Sequence, residues 1–229
     1  MKLSTTLKTA ALCLVLSAAA TGTMLAYLTD TDTAENVFTI GSVSADLYEN
    51  GTLIDSSFTG ATLSGVYPTQ VIPKKPTVKN TGTNPALVFI EVTIPKENIV
   101  ISDAAGSKMP SSLRELFVIK QAAADNSVTN DDTLTHNNAD WLKLDSATVN
   151  NADSVRYVFA YKKTLASGQE TSAPFSHVRF VNAIEEQVVG SRSITVTADV
   201  IQQNNLTAGA DPTSDELNTV FGAFSAQQS

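Results

Sequence analysis

Cysteine is almost missing from this chain. Cys13 is the only one in 229 residues, and it lies inside an apolar N-terminal run. Once that run is removed, the remaining chain has no thiol. Disulfides, thiolate metal sites and a cysteine nucleophile are thereby excluded. An exported domain without disulfides must depend on its own core, on bound ions or on assembly. Cys13 is not a lipid-attachment cysteine either. Leu12 precedes it where a small residue is needed, and too little apolar chain lies upstream.

Charge is also scarce, at 17% of residues, and positive charge most of all. The formal charge is −8, and removal of residues 1–26 takes Lys2 and Lys8 with it, leaving 13 basic against 23 acidic residues. Such a surface repels phosphate backbones, so no nucleic-acid partner is expected.

Catalytic signatures are missing as well. The two histidines, His136 and His177, stand 41 positions apart, and no H-E-x-x-H occurs. The zinc-protease arrangement of two imidazoles one helical turn apart is therefore absent. A dispersed site of both histidines and a carboxylate is the remaining metal option, against the simpler reading of two isolated histidines. There is no G-x-S-x-G elbow and no phosphate-binding glycine loop. The pairs Asp131-Asp132 and Glu185-Glu186 read as solvated faces. Asp30 and Asp32 offer two carboxylates to a hard cation such as Ca²⁺, but without EF-hand spacing, and a solvated linker is the simpler reading. The expectation is no catalytic residue, no metal, no cofactor and no enzyme.

What is present is apolar residue in β-patterned runs. Hydrophobic residues make up 42% of the chain, enough for a core. Residues 1–26 read as a secretory signal, with Lys2 and Lys8 as the positive region and residues 10–20 as the apolar one. That run is too short for a span of about 20 strongly apolar residues. Residues 37–48 read as a strand. Val43, Ala45 and Leu47 alternate with polar neighbours, while Phe38 and Ile40 follow the opposite parity, so Gly41 marks a register change. Asn50-Gly51 predicts a type I′ hairpin turn. Val88, Ile90, Val92 and Ile94 alternate in the clearest strand, which Pro95 is expected to end. Residues 111–120 read as a helical turn that finishes as a strand. Trp141 begins a short strand. Tyr157, Phe159 and Tyr161 share one face and read as core or interface, with a ligand platform as the alternative. Residues 193–201 alternate again. Leu217, Val220, Phe221 and Phe224 fall at helical spacing behind a Thr213–Glu216 capping box, predicting a C-terminal helix that closes one end of the sandwich. Nothing apolar follows it, so no permanent membrane anchor is expected.

The fold expected is all-β: a jelly-roll-like antiparallel β-sandwich with a few short helices, one at the C-terminus. Residues 1–26 are the signal peptide, 27–41 an N-terminal segment and 42–229 a single sandwich domain.

The stretch Leu25-Ala26-Tyr27-Leu28-Thr29-Asp30 and the strand residues Asn36, Phe38, Gly41 and Val43 resemble the TasA and camelysin family. These are Gram-positive biofilm-matrix and cell-surface proteins processed by a SipW-type signal peptidase. The V-K-N-T-G turn at 78–82 and the run Ile194, Val196, Ala198, Ile201 and Gln202 are similar to later parts of the same family. The resemblance implies cleavage between Ala26 and Tyr27, although Met24 stands where a small residue is usual. It implies a secreted subunit of extracellular matrix or cell-surface fibres, joined by exchange of the N-terminal strand. The assembly segment would include Tyr27, Leu28, Thr29, Asp30, Val37, Phe38 and Ile40. The implied partners are further copies of the chain, the signal peptidase and a minor accessory fibre protein. Two alternatives remain open from the sequence: a camelysin-like metalloprotease, and a monomeric secreted adhesin or binding module.

Overall fold

A computed structural model of the chain describes residues 42–55, 66–103, 105–124, 138–184, 188, 190–204, 206 and 209–228. In chain order these form β1 (Ala45–Glu49), β2 (Thr52–Leu53), β3 (Val71–Pro73), β4 (Pro76–Asn80), β5 (Ala86–Ile99) and β6 (Ser112–Glu115). Then follow β7 (Phe117–Lys120), β8 (Trp141–Lys143), β9 (Val149–Asn150), β10 (Ser154–Tyr161), β11 (His177–Phe180), β12 (Thr195–Gln202) and the helix α1 (Ser214–Gln228). The wide sheet has the order β12-β5-β10-β8, with β6 beside β5 and β9 beside β10. Two three-stranded sheets, β2-β1-β4 and β3-β11-β7, complete an antiparallel all-β sandwich.

The alternation in β5 sets the core. Val88, Ile90, Val92 and Ile94 are fully buried on one face, against Tyr157 and Phe159 of β10, Val78 of β4 and Val178 of β11. Burying each such side chain stabilises by about 1.5–3 kcal/mol. Trp141 is fully buried, with its ring 5.1 Å from that of Tyr161 and its Nε1 donating to the Ser172 carbonyl. The aromatic face of β10 is therefore core: Tyr157 and Phe159 are buried within it, and no ligand platform is exposed there.

A second apolar cluster lies on the other face of the same sheet. Leu87 and Phe89 of β5 and Val158 and Ala160 of β10 pack under Leu217 and Phe221 of α1. This corrects the expectation that the helix closes one end of the sandwich: it lies flat on the outer face of the wide sheet. Its start is as the sequence predicts. The Thr213 Oγ1 accepts from Glu216 N at 3.3 Å, and Glu216 Oε2 accepts from Thr213 N at 2.7 Å.

Asn50 and Gly51 have φ of 50° and 81°, the paired positive values of a type I′ turn, and they join β1 to β2. Pro95, in contrast, does not end β5. The strand runs on to Ile99 because its neighbour changes: β12 pairs with it up to Thr93, and β6 takes over at Lys96. Pro95 stands at that handover, where its missing N–H costs no ladder bond and its carbonyl accepts from Leu116 N at 2.9 Å. Residues 111–120 contain no helical turn. They form β6 and β7, divided at the buried Leu116.

Candidate assembly site

The N-terminal chain joins the domain at Ser42 to Ser44, just before β1. These residues are held by backbone hydrogen bonds to the turn after β4. Thr81 N and Gly82 N donate to the Ser44 carbonyl at 2.9 and 3.0 Å, and Thr83 N and Asn84 N donate to the Ser42 carbonyl at 3.0 and 3.2 Å. The Ser42 N–H in turn donates to Thr83 Oγ1 at 2.9 Å. The incoming chain crosses directly over Gly82. A Cβ there would lie 2.5 Å from the Ser42 carbonyl oxygen and 2.7 Å from Ser44 N, both backbone atoms. Only glycine permits that approach.

Beneath the crossing sits Asn80, wholly buried. Its Nδ2 donates to the carbonyls of Asn84 and Leu165, each at 2.9 Å, and its Oδ1 accepts from Gly82 N at 2.9 Å. Its backbone is paired too: Asn80 N donates to the Gln169 carbonyl and its own carbonyl accepts from Gly168 N. Ser167 Oγ donates to the Gly82 carbonyl at 2.6 Å. A buried amide with donors and acceptor all used costs little, whereas one left unpaired would cost about 1–3 kcal/mol. Three chain segments far apart in sequence are thus tied at the point from which the N-terminal segment departs.

Several strand edges have no strand beside them among the described residues, and two of them lie alongside β5. One is the outer edge of β12, which pairs only with β5. The other is the outer edge of β6, which also pairs only with β5. They differ in charge. On β12, Asp199 is half-buried beside Glu91 of β5, whose carboxylate is held by Arg156 Nη1 at 2.9 Å. Burial pushes the Asp199 carboxyl up, Glu91 adds to the shift, and Arg156 opposes it. On β6, Arg114 stands in register with Glu97. The Glu97 carboxylate is instead taken by Arg192, whose Nε donates to it at 2.5 Å. The Arg114 Nε is buried with no hydrogen-bond partner. Glu97 thus has Arg114 as its register partner and Arg192 as its hydrogen-bond partner. Beside them Leu113 is 47% exposed and Met109 37% exposed.

His177 lies on β11. Ser176 Oγ gives its single proton to the Gln121 carbonyl at 2.6 Å, so the His177 Nδ1 at 2.7 Å donates to that hydroxyl. Among the described residues no three His, Asp or Glu side chains gather as a metal site would need. Asp140 is tied to Lys163 Nζ at 2.7 Å and Ser172 Oγ at 2.8 Å, and these bonds hold its carboxyl below the ordinary aspartate value. No helix among the described residues is long and apolar enough to cross a membrane.

Ala26, Tyr27, Leu28, Thr29, Asp30, Val37, Phe38, Ile40 and Gly41 lie outside the described residues, as do Asp32, His136, Asp131-Asp132 and Glu185-Glu186. Sequence reasoning missed Asn80, Gly82 and Arg114. The V-K-N-T-G turn pointed to the first two, but nothing local distinguishes Arg114 from a solvated arginine. No family model matches this chain, and no curated protein matches it.

Proposed function

We propose that this chain is a secreted structural subunit that polymerises into extracellular biofilm-matrix or cell-surface fibres. After a SipW-type signal peptidase cuts between Ala26 and Tyr27, residues 27–40 of one copy add as a strand to a neighbouring copy. The observation that carries this reading is the pairing of two features in one domain. The chain meets the domain at Ser42 in a hydrogen-bonded crossing, and strand edges, those of β6 and β12 among them, have no described neighbour. Unpaired edges present N–H and C=O groups that an extended segment can satisfy, with main-chain bonds giving affinity and alternate side chains giving register. Residues 27–40 contain no proline and span about 45 Å when extended, at roughly 3.3 Å per residue. That is longer than the eight-residue β12.

The uncut signal would hold Tyr27 at the membrane, so cleavage is the trigger for assembly. The experiment compares residues 27–229 with a form lacking residues 27–35 by negative-stain electron microscopy over time. Fibres are expected from the first and not from the second. Fibres of equal length from both would remove the donor role. Chelator-sensitive casein cleavage by the purified protein would replace the structural reading with a protease.

A further inference from the structure

The reading above leaves open which edge receives the N-terminal segment, and charge separates the two edges that lie alongside β5. Residues 27–40 carry Asp30, Asp32 and Glu35 and no basic residue. Along β12 such a segment meets the half-buried Asp199 and its neighbour Glu91, with Arg156 already committed to Glu91. Like charges placed side by side on a sheet destabilise the pairing. Along β6 it meets Arg114, whose natural cross-strand carboxylate, Glu97, is engaged by Arg192. The nearest other acid on β6, Glu115, accepts from the Tyr157 hydroxyl at 2.7 Å. Arg114 is the one side chain among the described residues with a buried polar atom lacking a partner, and that is a cost an incoming carboxylate would relieve.

The edge is longer than β6 alone. Met109 N donates to the Ile101 carbonyl and Lys108 bridges Ser102, so the return arm pairs with the β5 side at 108–109 as well as at 112–115, with a one-residue register slip between. The tip is fixed by Asp103, whose Oδ1 accepts from Ala105 N and Ser107 N at 2.9 and 2.8 Å. Leu113 lies on the face opposite Arg114, by the period of two. Asp30 and Asp32 also share one face of an extended segment, and Thr29, Thr31 and Thr33 the other.

We propose that the β6 arm, residues 108–115, is the receiving edge for residues 27–40 of a second copy, with Asp30 or Asp32 set against Arg114 and the opposite face of the segment over Leu113. The proposal rests on the strand-donation reading, and it assigns that reading a place and a charge contact.

The test uses a fluorescent peptide of residues 27–40, titrated by anisotropy into the protein lacking residues 27–35. Arg114→Ala is expected to weaken binding about tenfold, the scale of one charge-assisted contact. Asp199→Asn is expected not to weaken it. A peptide with Asp30→Asn and Asp32→Asn should lose the same factor on the unaltered protein, which covers the case in which the Arg114 variant fails to fold. A peptide with Asp30→Lys and Asp32→Lys should bind Arg114→Glu better than it binds the unaltered protein. Raising the salt concentration should weaken the natural pair. Equal binding by Arg114→Ala and by the Asn peptide overturns the assignment to β6. If the protein lacking residues 27–35 still fails to form fibres, strand donation survives that result and only its receiving edge is wrong. If it forms them normally, the donation reading falls.

Discussion

The rings of Phe89 and Phe221 lie with their centroids 5.1 Å apart and their planes tilted by 48°. This contact fastens α1 to the outside of the wide sheet and gives β5 a buried face on both sides. Phe221 in turn packs against Phe224, at 6.3 Å. Replacing Phe221 by Ala should cost about 3–5 kcal/mol, read as a lower urea midpoint. That is a large share of a typical domain's net stability of about 5–15 kcal/mol. Thr213→Ala removes the cap alone and should cost about 1 kcal/mol. If Phe221→Ala left the midpoint unchanged, the helix would not be an integral layer.

Gly82→Ala should be far more damaging than an ordinary loop substitution. The added methyl meets the Ser42 carbonyl and Ser44 N, and neither can swing aside. The expected outcome is release of the crossing: faster hydrogen exchange at Thr81, Gly82, Thr83 and Asn84, and proteolytic cutting near Ser42. Unchanged protection of those amides would refute the crossing.

Asn80→Asp keeps the shape and removes the donors. It places a carboxylate against the Asn84 and Leu165 carbonyls in a fully buried position. A loss of about 3 kcal/mol or more is expected, because buried unpaired charge is costly. Thermal unfolding of the pair of proteins at neutral pH measures it.

Two aspartates should respond to pH in opposite senses. Asp199 has its carboxyl raised above the ordinary 3.8 by burial and by Glu91. The folded protein thus binds that proton more tightly than the unfolded chain. Its favourable contribution is complete below 3.8 and lost as pH rises through the folded value, so at neutral pH the ionised group is a cost. Asp199→Asn should therefore stabilise at pH 7 and bring little gain at pH 3. Asp140 has its carboxyl lowered, first by the Lys163 bond and then by Ser172. Its contribution is present above 3.8 and lost as pH falls through the folded value. The Lys163 partner is exposed, so screening keeps this contribution small. Asp140→Asn should destabilise at pH 7 and converge with the parent in acid. Urea midpoints taken from pH 3 to pH 7 would expose either sign as wrong.

Much of the fold is legible locally. Alternation in 88–94 and 155–161, the Asn50-Gly51 turn and the Thr213–Glu216 box each concern residues within a few positions of one another. The resting place of α1 is also written in the sequence, though less plainly. Ala86, Leu87, Val88, Phe89 and Ile90 are apolar on both parities, the mark of a strand covered on two faces. Beyond them Glu91 and Thr93 turn polar on the outer face, where the cover of α1 stops. Pro95 misleads because a change of neighbouring strand leaves no local trace. Gly82 and Asn80 are decided by chain segments about 40 and 85 positions away in sequence, a distance no periodicity can report. The unpartnered Nε of Arg114 and the Arg192–Glu97 pair beside it are again facts of three dimensions.

The knot at Asn80 also dictates an order of events. Its bonds to Leu165 and from Ser167 to Gly82 each close a loop of 85 positions. Non-local closures of this kind slow folding, because chain entropy is lost before the contact is made. A chain synthesised from its N-terminus delivers residues 42–84 long before 165–169 exist to lock them. The first strand out is therefore among the last to become rigid, and the window for pairing with the wrong edge, or the wrong copy, stays open until the last third of the chain has emerged.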